Sequence, residues 1–287
     1  MAYKKSLSIL RAITVLKCFT HERLTLSGAE IAAMLGLHKT TVYRVLDALA
    51  SESCLERDPN TGRYQIGPAT YALGHLYAMS NDLLSAAQPV MTLMAKIAEE
   101  PVNLGVRDKG NMVFIAKEEG DALFNINWHV GSAMPAYASA MGKSLLCELN
   151  RDYLSTLFPE ESLPAMTSKT VATRSELLAE LDLTRRNGFA VDEEGSHRGA
   201  VGIGAPIRGL DGSFRAAISL SVPVFRIDRS DYELIGHLVK QGASVISFRL
   251  GNVAGNGGVT NLEELQDWWE RFSSENPLSQ KWRAGRY

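Results

Sequence analysis

"GLHKTTVYRVLDAL", residues 36–49, decides how the N-terminal part of the chain is built. At about 100° per residue, Val42, Val45, Leu46 and Leu49 fall on one side of a helix. Thr40, Tyr43, Arg44 and Asp47 fall on the other, with Lys39 and Thr41 flanking them at the N-terminal end. Packing alone needs only the apolar stripe, and a charged outer face by itself usually means solvation. This outer face is basic and hydroxyl-rich where the helix begins, which suits phosphates and base edges.

The flanking sequence gives that helix a setting. In "TLSGAEIAAMLG", Ser27 followed three residues later by Glu30 is a capping box that starts a helix burying Ile31, Met34 and Leu35, with Gly36 placed to end it. Two short helices joined by a tight glycine-containing turn make a helix-turn-helix. Before them, "SLSILRAITVLKCF" has helical spacing at Leu7, Leu10, Ile13 and Leu16 or Val15. After them, "CLERDPNTGRYQIG" reads as two strands around a Pro-Asn-Thr-Gly turn, a wing flanked by Arg57 and Arg63. "PATYALGHLYAMSNDLL" then reads as a linker helix broken or softened at Gly74.

In this setting Ser27, Lys39, Thr40, Thr41, Tyr43, Arg44 and Arg63 are the candidate contacts to double-stranded DNA. Lys39 and the two threonines suit phosphates, and Arg63 suits backbone or minor groove. Arg44 has the fork that pairs with guanine.

The second half is rich in hairpins. "VNLGVRDKGNMVFIAK" turns at Asp-Lys-Gly-Asn, "LFNINW" alternates, and "VGIGAPIRGLDGSFRAAISLSVPV" gives two more strands. Helices are expected at "SAMGKSLLCEL", "TRSELLAELDLTRRNGFA" and "RSDYELIGHLVKQGASVISFRLG". Hairpins with flanking helices are α+β, without the regular alternation of a doubly wound sheet. In "AAISLSVP", Ile218, Leu220 and Val222 share one face and Ser219 and Ser221 the other. In "VGIGAPI", Val201, Ile203 and Ala205 share a face opposite Gly202 and Gly204. A strand face of serines is either solvated or turned to a ligand. Beside a second strand whose matching face is glycine, it leaves the space a pocket needs.

Other chemistry is weaker. "YASAMGKS" imitates a phosphate-binding P-loop, but Tyr137 stands where the first glycine must be. His129, Asp192, Glu193, Glu194 and His197 have no spacing that fixes a metal, and read as loop charges with Asp192 turned inward. No G-x-S-x-G nucleophile elbow is present. Cys18, Cys54 and Cys147 are far apart, as buried small side chains of a reducing compartment would be. Net charge is −2, but Met1 to Thr70 carries +3 and the remainder −5, a mildly basic module on an acidic body. No apolar run reaches the roughly 18 residues of a membrane span, and the N-terminus lacks the apolar core of a signal peptide. A cytoplasmic location with no membrane, metal or cofactor is expected.

Together these blocks resemble the IclR family of transcriptional regulators. The N-terminal match is "LSGAEIAAMLGLHKTTVYRVLDALASESCLERDPNTGRYQIG"; the C-terminal ones are "VNLGV", "YASAMGKSLL", "NGFAVDEEGSHRGAVGIGAPI" and "AAISLSVP". The resemblance covers about residues 5–250. It implies a winged helix-turn-helix over 1–67, a linker helix over 68–83 and an α+β, GAF-like effector-binding domain over 84–250. It further implies a repressor of a catabolic operon, a homodimer or dimer of dimers on a near-palindromic operator, controlled by a small organic or aromatic acid. The family's polar ligand contacts fall on Asp192, Ser219 and Ser221, its helix-start contacts on Ala140 and Met141, and its apolar wall on Leu123, Ile126, Met134 and Ala200. Gly202 stands where many relatives have cysteine, and Met141 is bulkier than the residue often found there, so the pocket is reshaped. The alternative is a small-molecule-processing enzyme or sensor whose N-terminal module binds protein.

Residues 251–287 are the least family-like. "NVAGNGGV" has linker composition, and "TNLEELQDWWERF" starts with a capping box from Thr260 to Glu263. Leu262, Leu265, Trp269 and Phe272 make a stripe expected to dock on this domain or on a neighbouring subunit.

Overall fold

The computed structural model describes residues 6–79, 82–120, 128–253 and 258–275. Its two units are Met1–Asn81 and Asp82–Tyr287.

In the first unit, α1 (Leu7–Leu16), α2 (Gly28–Leu35) and α3 (Lys39–Ser51) enclose Val15, Ile31, Val42 and Leu46, all fully buried. The capping box is formed: Ser27 Oγ accepts the Glu30 N–H at 3.2 Å, and Glu30 Oε2 accepts the Ser27 N–H at 2.6 Å. Gly36 ends α2 with φ +61°, a left-handed conformation open to glycine. The wing is β2 (Leu55–Arg57) and β3 (Tyr64–Ile66). A strand that the sequence pattern did not announce, β1 (Thr25–Leu26), pairs with β3 to complete a three-stranded sheet in the order β1-β3-β2.

The structure departs from three expectations. Only Val15 of α1 is buried; Leu7, Leu10 and Ile13 are exposed, so the apolar spacing marked a surface face. Met34 is 43% exposed, because Gly28, Ile31, Ala32 and Leu35 span the inward arc of α2 and Met34 falls outside it. Helix α4 (Pro68–Met79) runs unbroken through Gly74. A lone exposed glycine costs a helix about 1 kcal/mol, too little to break it.

The second unit starts with α5 (Asp82–Ala98) and continues through β4 (Val102–Asp108), β5 (Asn111–Glu118) and β6 (Ala133–Pro135). Helices α6 (Ala140–Leu146), α7 (Arg151–Leu157) and α8 (Arg174–Asn187) follow. Then come β7 (Ala190–Glu193), β8 (Ala200–Arg208), β9 (Phe214–Pro223) and α9 (Tyr232–Arg249). The strands form one antiparallel sheet in the order β6-β5-β4-β9-β8-β7. One face, through Leu104, Ile203, Ile218 and Leu220, packs with Met91 and Met94 of α5 and Leu238 and Ile246 of α9. The other, through Met112, Phe114 and Ala217, packs with Met141 and Leu145 of α6 and Leu177 and Leu181 of α8. The expected strand "LFNINW", and with it Leu123 and Ile126, falls outside the described residues except for Trp128.

Helix α10 (Leu262–Glu275) docks within this unit against α5 and α9, with Leu265 fully buried and Trp269 5% exposed. Its cap is one residue later than expected. Asn261 Oδ1 accepts the Glu264 N–H at 2.9 Å, while the Glu264 carboxylate reaches back to the N–H and hydroxyl of Thr260. Asn261 outcompetes Thr260 because its longer side chain reaches the first-turn amide and leaves the threonine hydroxyl as a donor.

Candidate functional sites

Helix α3 presents the basic face of the first unit. Lys39, Thr40, Tyr43 and Arg44 are exposed and Thr41 is half-buried. His38 caps α3 without a side-chain bond, which leaves the helix start open to an anion. Tyr43 also packs: a Cβ built on Gly28 would lie 2.8 Å from its ring carbons, so the tyrosine rests against the bare start of α2. Ser27 is engaged in its capping box. Arg63 is a brace, its guanidinium bonded to Thr25 Oγ1 at 3.2 Å, to Thr25 O at 2.9 Å and to the Glu30 carboxylate at 3.0 Å. Those bonds tie the wing to the start of α2. The Ser27 bonds, and after them the Arg63 guanidinium, hold the Glu30 carboxyl below its ordinary pKa.

In the second unit, β8 and β9 pair so that Gly202 stands opposite Ser221 and Gly204 opposite Ser219. Asp192 of β7 stands opposite Gly202 on its other side. Asp192, Gly202, Ser219 and Ser221 therefore share one sheet face, beneath Ala140 and Met141 at the start of α6, and Phe114, Trp128 and Met134 close the remaining wall. The cleft is narrow, with a free volume of about 20 Å³. An incoming ligand must therefore move side chains, and the small enclosed space favours a small one. Ala200 lies on the same strand face but outside the cleft.

Asp192 is 2% exposed. Burial pushes its pKa up, opposed by the Lys143 charge and by bonds from the Ser196 hydroxyl and the N–H groups of Ser196 and Gly195. It is the one ionisable carboxyl or basic side chain lining the cleft among the described residues. Asn103 of β4, itself 1% exposed and on the same sheet face, donates to Ser221 Oγ at 3.1 Å. The P-loop imitation is structural: Lys143 is buried in an ion pair with Glu180 at 2.6 Å, and a Cβ on Gly142 would lie 2.1 Å from Ala136 O. The loop charges are paired too, Glu193 with Arg229 at 3.0 Å and Glu194 with Lys169. No group of three His, Cys, Asp or Glu that could hold a metal occurs among the described residues.

Two family models match, the IclR helix-turn-helix domain over residues 8–59 and the C-terminal domain of bacterial transcriptional regulator IclR over residues 75–248. The chain belongs to the IclR family.

This IclR-family regulator is 30% identical to the HTH-type transcriptional repressor AllR of Escherichia coli over 251 residues, 88% of this chain and 93% of AllR. Its fold matches the IclR regulator of Alicyclobacillus acidocaldarius with a TM-score of 0.76 at 25% identity, over 86% of this chain and all of the other. It also matches an IclR homologue from Microbacterium hydrocarbonoxydans solved with 4-hydroxybenzoate, with a TM-score of 0.73 at 23% identity, over 85% and 99% of the two chains. Its relatives are regulators and repressors that bind DNA, so its activity is control of transcription, not catalysis. No helix among the described residues is long and apolar enough to cross a membrane.

Sequence reasoning missed four cleft residues: Phe114, Trp128, Ser139 and Ser196. Phe114 and Trp128 stack at 5.5 Å, and Trp128 meets His197 edge-on at 5.9 Å. Phe114 alternates regularly with Met112 on that face, and the bulge that skips Ile115 breaks the alternation of β5 only beyond it. Ser196 had a local signal, since a serine four residues after a buried Asp192 can close a turn onto its carboxylate.

Proposed function

We propose that this IclR-family protein is a ligand-controlled repressor of a catabolic operon, acting in the cytoplasm as a homodimer or dimer of dimers on a near-palindromic operator. Lys39, Thr40, Thr41, Tyr43 and Arg44 face the DNA, while Ser27 and Arg63 hold the reading helix and wing in place. A two-fold dimer places two such helices about one DNA turn apart. The effector is a small organic or aromatic acid held over Ser219 and Ser221, beside Asp192, Ala140 and the flexible Met141 and Met134.

The observation that carries this reading is the register that sets Gly202 and Gly204 against Ser221 and Ser219 and leaves space beneath α6. The relative solved with 4-hydroxybenzoate supports an effector of that size. Ligand control follows from linkage: an effector must prefer one arrangement of the dimer to shift its affinity for DNA.

Fluorescence anisotropy of the full chain on DNA upstream of its own gene, with an unrelated fragment as control, tests the proposal. Tight, salt-sensitive binding that shifts with one member of a panel of small carboxylic and aromatic acids is expected. Binding that no acid alters would remove the effector assignment.

A further inference from the structure

Helical spacing divides the outer surface of α3 into three edges. Thr40 lies nearest the centre, Asp47 and Arg44 step off it in opposite directions, and beyond them lie Lys39 and Tyr43 on one flank and Thr41 on the other. The Lys39–Tyr43 flank turns to α2, where Tyr43 rests on Gly28. The Thr41–Arg44 flank turns to α1. There a groove of about 290 Å³ runs between the two helices, with Ser8, Arg11 and Ala12 from α1 facing Thr41, Arg44 and Val45 from α3.

Two arginines and two hydroxyls thus face one groove that no carboxylate among the described residues lines. Neither Arg11 nor Arg44 makes an ion pair or a side-chain hydrogen bond among the described residues. Like charges side by side without a counter-ion call for an anion from outside. The major groove is about 12 Å wide, close to the roughly 10–12 Å diameter of a helix with its side chains. A reading helix seated there has a row of backbone phosphates along each flank, and the row on the α1 side runs past this groove.

We propose that Arg11, outside the helix-turn-helix itself, joins Arg44 in holding a DNA backbone phosphate on the α1 flank of α3. Arg44 then grips the sugar-phosphate chain and leaves base edges to the centre of the helix. The proposal rests on the DNA-binding activity of the family and refines which groups carry it. Guanidinium forks suit a phosphate in two-pronged fashion, and the Ser8 and Thr41 hydroxyls add donors.

A phosphate grip is blind to sequence, so any duplex reports it. Full-length wild type, R11Q, R44Q and R11K are titrated over a low-salt series against a short labelled duplex of arbitrary sequence and against the DNA upstream of the gene. R11Q and R44Q are expected to weaken both duplexes by the same several-fold factor and to flatten the dependence of log K on log salt. Removing both arginines should lower that slope by about 0.9 for each phosphate that is no longer neutralised. R11K keeps the charge and should restore the slope, and melting temperatures should match the wild type.

R11Q with unchanged affinity and slope would overturn the proposal. So would R11Q that dissociates the dimer in sedimentation, since the groove would then be a subunit contact. If R44Q weakens only the upstream DNA, Arg44 reads a base and the shared phosphate is refuted. Wild type that binds neither duplex at low salt would instead bring down the DNA-binding reading on which the proposal stands.

Discussion

Ser221 stands directly opposite Gly202 across the β8–β9 pairing, yet Gly202 and its neighbour on the same face, Gly204, leave different kinds of space. A Cβ on Gly202 would rest 3.5 Å from the Ala140 Cβ and 3.8 Å from the Asp192 Cβ, ordinary contact distances. A Cβ on Gly204 would lie 3.0 Å from Met141 N and 3.1 Å from Ala140 C, both rigid backbone. The space at Gly202 belongs to the cleft, and the space at Gly204 is already used to seat α6.

Gly202→Ala should therefore fold as well as the wild type, or gain up to about 1 kcal/mol through the unfolded chain, while weakening effector binding. Gly204→Ala should cost about 1–3 kcal/mol, as overpacked sites do. Denaturant melts of the pair check the contrast, and equal stabilities would mean that α6 does not sit where the glycines place it.

Ser219→Leu puts a branched apolar side chain on a residue that is 4% exposed and faces the cleft. DNA affinity should survive and the effector response should vanish, read by anisotropy on the upstream DNA. A variant that still responds at wild-type effector concentrations would remove Ser219 from the site.

The Ser27 cap orders the start of α2, against which Tyr43 and the Arg63 brace are set. Ser27→Ala should cost the first unit about 1 kcal/mol and weaken DNA binding without touching the effector response. Thermal melts of the first unit's transition, followed beside DNA titration, would show both effects.

Ser27 with Glu30, and Gly36, announced the ends of α2 in the sequence because capping is local chemistry. The pairing of glycine with serine across β8 and β9 was legible because alternation fixes faces and a short turn fixes register. The rest depends on contacts distant in sequence. The apolar spacing of Leu7, Leu10 and Ile13 cannot say which face a neighbour covers, and the chain itself covers Val15 instead. Strand β1 is two residues long and exists only because β3 lies beside it. The bracing bonds of Arg63 were not legible because nothing local shows that Thr25 and Glu30, more than thirty residues earlier, reach its Nε and Nη2.

Glu100 gives a pH dependence with a definite sign. Its side chain is fully buried against Arg226 at 2.8 Å, and burial outweighs that charge, pushing its pKa from 4.5 up to about 7. The folded state then holds this proton more tightly than the unfolded state, so the contribution of Glu100 to stability is full below about pH 4.5 and is lost as pH rises through about 7. The shift corresponds to a loss of about 3 kcal/mol across that window. Melts between pH 5 and 8 should show the second unit weakening with pH in the wild type and a flatter profile in Glu100→Gln. A wild-type profile that rises across the window would refute the assignment.

Helix α10 lies beyond residue 248, where the family's C-terminal model ends, yet it fills part of the second unit's core. Its outer face is acidic, with Glu263, Glu264, Asp267 and Glu270 exposed, so the apolar side that ties it down is Leu265 and Trp269, with Leu262 and Trp268 packed beside them. Truncating a buried tryptophan to alanine removes its transfer free energy and leaves a cavity, together about 3–5 kcal/mol. Trp269→Ala should lower the second unit's melting temperature, with α10 released as the lesser alternative to that cavity. The location of the dock decides a further point. A helix bound to its own chain stabilises by the same amount at any protein concentration, whereas one bound to a neighbour stabilises more as concentration rises. Melts of wild type and Trp269→Ala over a wide concentration range should therefore differ by a constant interval; an interval that grows with concentration would place α10 on a second copy.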